Sequence, residues 1–351
     1  MPRRRITFSQ AINEALLLSM REDKNVFILG CGVTSPTEIF GSIRGLYKKF
    51  GKNRVIETPI AENGMTGIAI GASLLGMRPV LVHQRIDFML LSMDQLVNHA
   101  AKWSYMLGGT SSVPLTIRCV VGKGWGQGAQ HSQSLQALFA HIPGLKVVMP
   151  STPYDAKGLL ISSIKDKNPV IFIEHRRLYD FKGDVPSGVY KIPLGKGKII
   201  KKGKDITIVA VSLMVRDAIR AAEVLKKDYK ISAEVIDLRC LRPLDEKIIL
   251  DSVKNTGRLL VVDTGWKAYG VSAEISALVA EASYRDLKAP IRRIGLPPSP
   301  TPTSVYLESH YYPDADTIVQ AGKSLISGKF KSKSSQNIQA APYDDKFTGP
   351  F

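Results

Sequence analysis

The sequence predicts an α/β protein built of two open β/α domains, and three observations lead there. The chain has 351 residues, more than one hydrophobic core ordinarily serves, so two domains are the default. Short, nearly continuous apolar runs alternate with helical patterns, as parallel strands covered on both faces require. A stretch rich in Gly, Pro and Lys, from about Gly183 to Lys204, separates one such series from a second. The expected boundaries are a first domain at 1–190, a linker at 191–204, a second domain at 205–328 and a polar tail at 329–351. The tail is low in apolar residues and is expected to be mobile unless a partner holds it.

The first helix follows Thr7-x-x-Gln10, a capping box, with Ile12, Leu16, Leu17 and Met20 on one face. Strands are expected at Val26–Leu29, Arg54–Thr58 and Pro79–Val82, and an amphipathic helix from about Met89 to Ala101. A strand at Pro114–Val121, one at Leu145–Met149, a helix from Tyr154 to Ile164 and a strand at Pro169–Glu174 complete the first series. The second series reads strand Ile206–Val211, helix Val215–Leu225 and strand Ala233–Asp237. A helix begun by Pro243-Leu-Asp245, strand Leu259–Val262 and helix Gly270–Ala282 follow.

Composition narrows the function class. Apolar residues make up 44% of the chain, ample for burial. No apolar run reaches the length of a membrane span, and the N-terminus carries no signal-peptide core. Met1-Pro-Arg-Arg-Arg5 runs almost at once into a helical pattern, which argues against a cleaved presequence, so a cytoplasmic location is expected. Cys31, Cys119 and Cys240 lie far apart in or beside apolar segments, with neither metal-ligand spacing nor an even count, and read as small buried residues. The formal charge of +17 invites a nucleic-acid reading. Its clusters, such as Lys201-Lys202-Gly-Lys204 and Lys329-Phe-Lys331-Ser-Lys333, sit at linker and tail positions with little aromatic interleaving, which favours a solvated surface or an acidic protein partner.

Two segments carry candidate chemistry. In Thr58-Pro-Ile-Ala-Glu62-Asn-Gly64, a carboxylate follows a short strand and opens a helix of small residues, Gly64, Gly67, Ala69, Gly71 and Ala72. Glycines weaken a helix, so this run suggests a backbone packed against something flat. Glu62 stands where a helix N-terminus tolerates negative charge, and an apolar surround would keep it protonated near neutral pH, which suits an acid serving a ring nitrogen. Its plain alternative is a Glu that complements the helix dipole. The second segment is Gly122-Lys-Gly124-Trp-Gly126-Gln-Gly128-Ala-Gln-His131-Ser-Gln133, just past the C-terminal end of a strand, where open sheets place ligands. His131 has Gln130, Ser132 and Gln133 beside it to fix its tautomer; a structural histidine is the other reading.

Taken together, the chain resembles the β subunit of the thiamine-diphosphate-dependent first component (E1) of 2-oxo acid dehydrogenase complexes, the pyruvate dehydrogenase E1 β type. The likeness runs from about Ile6 to Lys323. Its markers are Thr58-Pro-Ile-Ala-Glu62, Gly128-Ala-Gln-His131-Ser-Gln133, Asp155-Ala-Lys-Gly-Leu159, Asn168-Pro-Val-Ile-Phe-Ile-Glu174 and Val235-Ile-Asp237-Leu-Arg239-Cys-Leu-Arg242-Pro-Leu-Asp245. The resemblance implies a transketolase-like pyrimidine-binding domain followed by a transketolase C-terminal-like domain. It implies that Glu62 hydrogen-bonds the aminopyrimidine of thiamine diphosphate, that Phe88 stacks on that ring, and that His131 faces the substrate and an incoming lipoyl group. A structural potassium ion, held mainly by backbone carbonyls, would fall to Leu115, Ser163, Ile164, Asp166 and Asn168; a plain helix-to-strand turn is the alternative there.

Half of the family's cofactor site is missing. Its members hold magnesium and the diphosphate with a Gly-Asp-Gly motif, and the only Gly-Asp here, Gly183-Asp184, is followed by Val185. The resemblance therefore implies a separate α-type subunit carrying Mg2+ and the diphosphate, in an α2β2 assembly, with a lipoyl acyltransferase (E2) as a further partner. The chain also departs from the family's run Glu-Phe-Met-Thr-Phe-Asn-Phe, reading Val82-His83-Gln84-Arg85-Ile86-Asp87-Phe88. Strand alternation would place His83 and Arg85 on one face, where they suit a substrate with a second anionic or hydroxylated group; a structural Arg85, paired with Asp87 or with the partner chain, is the alternative. Two rival functions remain: the C-terminal half of a split transketolase-like or sugar-modifying enzyme, and a basic non-catalytic scaffold or nucleic-acid binder.

Overall fold

A computed structural model describes residues 4–122 and 126–328. The expected tail at 329–351 and residues 123–125 of the glycine-rich loop lie outside the described residues. Strand β1 (Arg4–Thr7) leads into helix α1 (Phe8–Glu22) through the expected capping box. The Gln10 N–H donates to Thr7 Oγ1 at 3.1 Å and the Thr7 N–H to Gln10 Oε1 at 2.9 Å, satisfying two donors that a helix start leaves orphaned. Ile12, Leu16 and Met20 are buried and Leu17 half-buried, as the spacing requires.

The chain then alternates: β2 (Val26–Gly30), α2 (Leu46–Phe50), β3 (Val55–Glu57), α3 (Glu62–Leu74), β4 (Arg78–His83), α4 (Ala101–Met106), β5 (Thr116–Val121), α5 (Gln136–Ala140), β6 (Lys146–Val148), α6 (Pro153–Lys165) and β7 (Val170–His175). The helix expected at Met89–Ala101 is not a regular α-helix. Phe88–Ser92 winds as a 3₁₀ turn, Gln95–Ala100 as a π-helical turn, and only Ala101–Met106 as α. Tertiary bonds hold the first of these turns: Ser92 Oγ donates to the Glu62 carbonyl at 3.1 Å and receives Thr66 Oγ1 at 2.8 Å.

After β8 (Lys182–Val185), antiparallel to β1, come β9 (Lys198–Lys201), β10 (Ile206–Ala210), α7 (Leu213–Tyr229), β11 (Ala233–Asp237), β12 (Cys240–Arg242), α8 (Glu246–Thr256), β13 (Leu259–Trp266), α9 (Val271–Ala282), β14 (Arg292–Leu296), α10 (Val305–Tyr311) and α11 (Ala315–Ser327). Seven strands form one sheet in the order β12-β6-β7-β5-β4-β2-β3, parallel except at β12. Five form a second in the order β14-β13-β10-β11-β9, parallel except at β9.

Two features differ from the expected organisation. Residues 191–204 are not all connection, because Lys198-Ile-Ile-Lys201 is an edge strand of the second sheet. Its flanking lysines explain why it reads as linker, and lysine on an edge strand discourages further pairing. Strand β12 leaves the second sheet and closes the edge of the first. It is drawn there by Arg239, whose carbonyl accepts the Met149 N–H at 2.8 Å and whose guanidinium pairs with Asp155 at 2.5 Å. One apolar core, from Leu29 and Leu81 through Val147 to Val209, Ile236 and Val261, runs without a break between the sheets. Inside the first sheet, Arg118 and Glu174 face each other from β5 and β7 at 2.6 and 2.8 Å, each 1% exposed or less, with Tyr179 Oη–H donating to Glu174. Among the described residues no helix is long and apolar enough to cross a membrane.

Candidate active site

Parallel strands deliver their C-terminal ends to one edge of the sheet, and the crevice beyond that edge is where α/β proteins bind. Here β2 ends at Gly30 and β4 at His83, and both line a cavity of about 250 Å³ with Cys31, Glu62, Met65, Gln84 and Phe88. Beside it the Glu57 carboxylate, at the end of β3, accepts the Gly32 N–H at 2.5 Å and the Thr34 N–H and Oγ1–H at 2.8 Å. Gln84 Nε2 donates to the Cys31 carbonyl at 3.1 Å. Gly32 (φ +80°) allows this approach, since a Cβ there would stand 2.2 Å from that same nitrogen.

Glu62 opens α3, as expected, and faces the cavity. The glycine-rich helix behind it behaves otherwise than expected within this chain. A Cβ at Gly64 or Gly71 would meet nothing, and only Gly67 is approached, by Gln95 Oε1 at 3.2 Å. One helical stripe, Gly64, Ile68, Gly71 and Leu75, is open, with Ile68 58% and Leu75 87% exposed.

The cavity also holds the buried imidazole of His83. Its Nε2 has no hydrogen-bond partner among the described residues, and burial pushes its pKa down to about 4, so the ring is neutral at physiological pH. Cys31 is only partly buried and borders the cavity, unlike the buried Cys119 and Cys240; its thiol is pushed up by burial, then by Glu57 and Glu62.

Arg85 does not join His83 in this cavity. Side-chain alternation holds only inside a strand, and β4 ends at His83. Arg85 is buried instead over the Phe40 ring, 5.8 Å from its centroid. It donates to the Gly122 carbonyl at 3.2 Å and to Gln127 Oε1. Asp87, also buried, accepts the Gln133 N–H at 3.3 Å and its Nε2–H at 2.8 Å through Oδ1. Between these contacts the His131 ring meets Phe88 edge-on, 5.5 Å between centroids at 85°. Glu62, Phe88 and His131 are thus drawn to one end of the sheet. Among the described residues, Gln130, Ser132 and Gln133 make no hydrogen bond to the His131 ring: Gln133 is engaged by Asp87, and Ser132 Oγ is buried without a partner there. The engagement of the loop by Arg85 and Asp87 is the part of the site that sequence reasoning missed, since the contacts span 42 and 46 residues.

The residues expected to hold a monovalent cation lie at the opposite, N-terminal edge of the same strands. Two of the five carbonyls, those of Ile164 and Asp166, accept Arg78 Nη1 at 3.0 and 3.1 Å. The Leu115 and Ser163 carbonyls accept the N–H groups of Val170 and Asp166, at 2.9 and 3.1 Å. Lys146 pairs with the Asp166 carboxylate at 2.5 Å, and the Asn168 N–H caps that carboxylate at 2.9 Å. The turn is already furnished with two protein cations. Among the described residues no group of three or more His, Cys, Asp or Glu side chains is arranged to hold a metal ion.

Comparison with known proteins agrees with this architecture. Residues 4–182 match the transketolase pyrimidine-binding domain family and residues 195–318 the transketolase C-terminal domain family. The chain is 45% identical over 335 residues to the acetoin:2,6-dichlorophenolindophenol oxidoreductase subunit beta of Cupriavidus necator, covering 93% of this chain and 98% of that one. It is 40% identical to the 2-oxoisovalerate dehydrogenase subunit beta of Bacillus subtilis and to the pyruvate dehydrogenase E1 component subunit beta of Rickettsia felis, each covering 91% of this chain and 98% of the relative. Among solved structures, a split-gene transketolase described as an inactive β4 tetramer superposes with a TM-score of 0.74 at 21% identity, over 92% of this chain and 98% of that one, a likeness of fold. The chain therefore belongs to the transketolase-like family, pyrimidine-binding domain followed by C-terminal domain, that includes the E1 β subunits of 2-oxo acid dehydrogenase complexes.

Proposed function

We propose that this chain is the β-type half of a thiamine-diphosphate enzyme that decarboxylates a small 2-oxo acid and passes the acyl unit to a lipoyl carrier, working with a separate α-type subunit. The observation that carries this reading is the cavity in which Glu62 and Phe88 stand together at the end of the parallel sheet. Its size fits one part of the cofactor. A dry cavity of about 150 Å³ holds a benzene ring, so about 250 Å³ suits one substituted heteroaromatic ring and not a whole diphosphate cofactor. When bound, thiamine diphosphate supplies a nucleophilic carbon and an electron sink for the cleavage. In this reading Glu62 exchanges a proton with a ring nitrogen, Phe88 offers an aromatic surface to the ring, and His131 holds or donates a proton on the substrate side.

The remaining half, Mg2+ and the diphosphate, is assigned to the α-type subunit in an α2β2 assembly, with a lipoyl acyltransferase as acyl acceptor. The absence of a Gly-Asp-Gly run from the sequence supports this. So does the open stripe of α3, beside the cavity, whose small and apolar residues suit close approach by another chain. Potassium at residues 115 and 163–168 forms no part of the reaction proposed, because Arg78 and Lys146 already engage that turn.

A second reading of the substrate follows from His83 and Gln84. With Arg85 engaged elsewhere, His83 and Gln84 bring a neutral imidazole and an amide to a cavity that also holds Glu62, Thr58 and Cys31, a lining without a cationic side chain that suits a hydroxyl better than a second carboxylate. The relative at 45% identity is named for acetoin, a hydroxyketone, so a hydroxylated ketone stands beside a simple 2-oxo acid as substrate class.

The test is Glu62→Gln in the assembled enzyme. Cofactor binding by calorimetry should persist, while hydrogen–deuterium exchange of the cofactor's acidic thiazolium C–H slows by about 10²–10⁴-fold, the contribution of a positioned acid–base group. Unchanged exchange would remove Glu62 from the proton path.

A further inference from the structure

All five residues of the 83–87 segment depart from the family's run, and the structure gives two of them a shared task. Beyond His83 the chain leaves the sheet, and Arg85 and Asp87 turn towards the loop that carries His131. They grip it at two points that bracket the histidine. Arg85 takes Gln127 and the Gly122 carbonyl, and Asp87 takes both the backbone N–H and the side-chain amide of Gln133. A third contact comes from the second half of the chain. Gly126 and Gly128, at φ of +72° and +69°, lie so close to Thr303 that a Cβ would stand 2.9 Å from its carbonyl oxygen and 2.5 Å from its Oγ1.

A loop with glycines at 122, 124, 126 and 128 has much conformational freedom to lose. Among the described residues the imidazole makes no hydrogen bond, to the loop or elsewhere. Where His131 stands therefore depends on what holds the loop at its flanks. Burial brings the Arg85 guanidinium down to about 10, still charged at neutral pH, and pushes the Asp87 carboxyl up, against the Gln133 bonds and the Arg85 charge that favour its ionised form, so each flank is held through an ionisable side chain.

We propose that Arg85 and Asp87 are positioning residues, which clamp the loop on either side of His131 and so fix the imidazole against Phe88. The proposal rests on the reading of His131 as the substrate-side proton group. It removes Arg85 from the substrate-anchoring role that its position in the sequence suggested.

The experiment uses the full chain assembled with its α-type subunit. Variants Arg85→Met, Arg85→Lys, Asp87→Ala, Asp87→Asn, His131→Ala and the double variant Arg85→Met/His131→Ala are compared by steady-state kinetics and by amide hydrogen exchange of peptides spanning residues 126–135. Loss of one of these bonds should speed exchange in that segment about tenfold in Asp87→Ala and Arg85→Met. Asp87→Asn, which keeps an oxygen acceptor, and Arg85→Lys, which keeps a cation, should retain most of the protection and activity. In Arg85→Met, kcat should fall about tenfold to a hundredfold, as expected for a misplaced group, with KM changed by less than about twofold. In the His131→Ala background, Arg85→Met should add little, because a residue acting through His131 has nothing left to position. Losses that simply multiply, or exchange unchanged in both Arg85→Met and Asp87→Ala, would overturn the clamp. A raised KM with kcat intact would return Arg85 to substrate binding. Full activity in His131→Ala would instead sink the reading of His131 and leave the clamp to be judged by exchange alone.

Discussion

His131 stands edge-on to Phe88, 5.5 Å between ring centroids at 85°, although the two belong to different β/α units. An aromatic pair in this geometry contributes about 0.5–1.5 kcal/mol beyond its buried area. It links the side chain proposed to lie against the cofactor ring to the one proposed to face the substrate. Phe88 is 36% exposed, so the pair leaves part of the ring free for a ligand.

The acid response of the protein should carry the signature of His83. Its pKa in the folded chain lies at about 4, below the ordinary 6.5, so the unfolded chain takes up the proton first as pH falls. The stabilisation from burying the neutral ring is complete above the unfolded value and is lost as pH falls towards the folded one. Urea unfolding should show native stability declining between about pH 7 and about pH 4.5 by roughly 2 kcal/mol more than in His83→Phe. Parallel pH profiles in the two proteins would assign the acid sensitivity to other groups.

The Arg118–Glu174 pair predicts an asymmetry between single and double substitution. Removing one partner leaves the other charge buried without its mate, so Arg118→Met should lose about 3–5 kcal/mol in chemical denaturation. Arg118→Met/Glu174→Leu, which removes both charges, should recover a substantial part of that loss. A double variant as unstable as the single would show that packing with Ser42 and Tyr179, and not charge, holds this part of the sheet.

Ile68, on the open stripe of α3, separates folding from assembly. Ile68→Lys should change the stability of the chain by less than about 0.5 kcal/mol, as exposed substitutions usually do. It should weaken co-elution with the α-type subunit by more than about tenfold if that stripe is buried by the partner. Undiminished assembly would place the partner elsewhere.

The turn at 163–168 should be indifferent to potassium. Exchanging K+ for tetramethylammonium is expected to move Tm by no more than about 1 °C, since a bound ion raises stability only where it has a site to fill. Arg78→Met vacates the carbonyls of Ile164 and Asp166, and should be destabilised and partly rescued by K+. A marked potassium dependence in the native protein would show that the ion and Arg78 share the turn.

Local patterns along the chain determined much of this protein. Alternating apolar runs and helical periods gave most of the inner strands and long helices as far as α9, the Thr7–Gln10 box gave the start of α1, and Glu62 at a strand-to-helix junction marked the cavity. These features are legible because backbone hydrogen bonding and burial act over a few residues, and each leaves a period or a cap behind. The tertiary structure alone decided the rest. It placed β12 in the first sheet, made Lys198–Lys201 an edge strand, left the glycine stripe of α3 open, and turned Arg85 from His83 towards Gly122 and Gln127. The direction of Arg85 could not be read from alternation, because the strand that imposes alternation ends two residues earlier. Past that point a side chain goes where a buried guanidinium finds acceptors, and those acceptors lie about forty residues further along the chain, on a loop that only the completed sheet brings within reach.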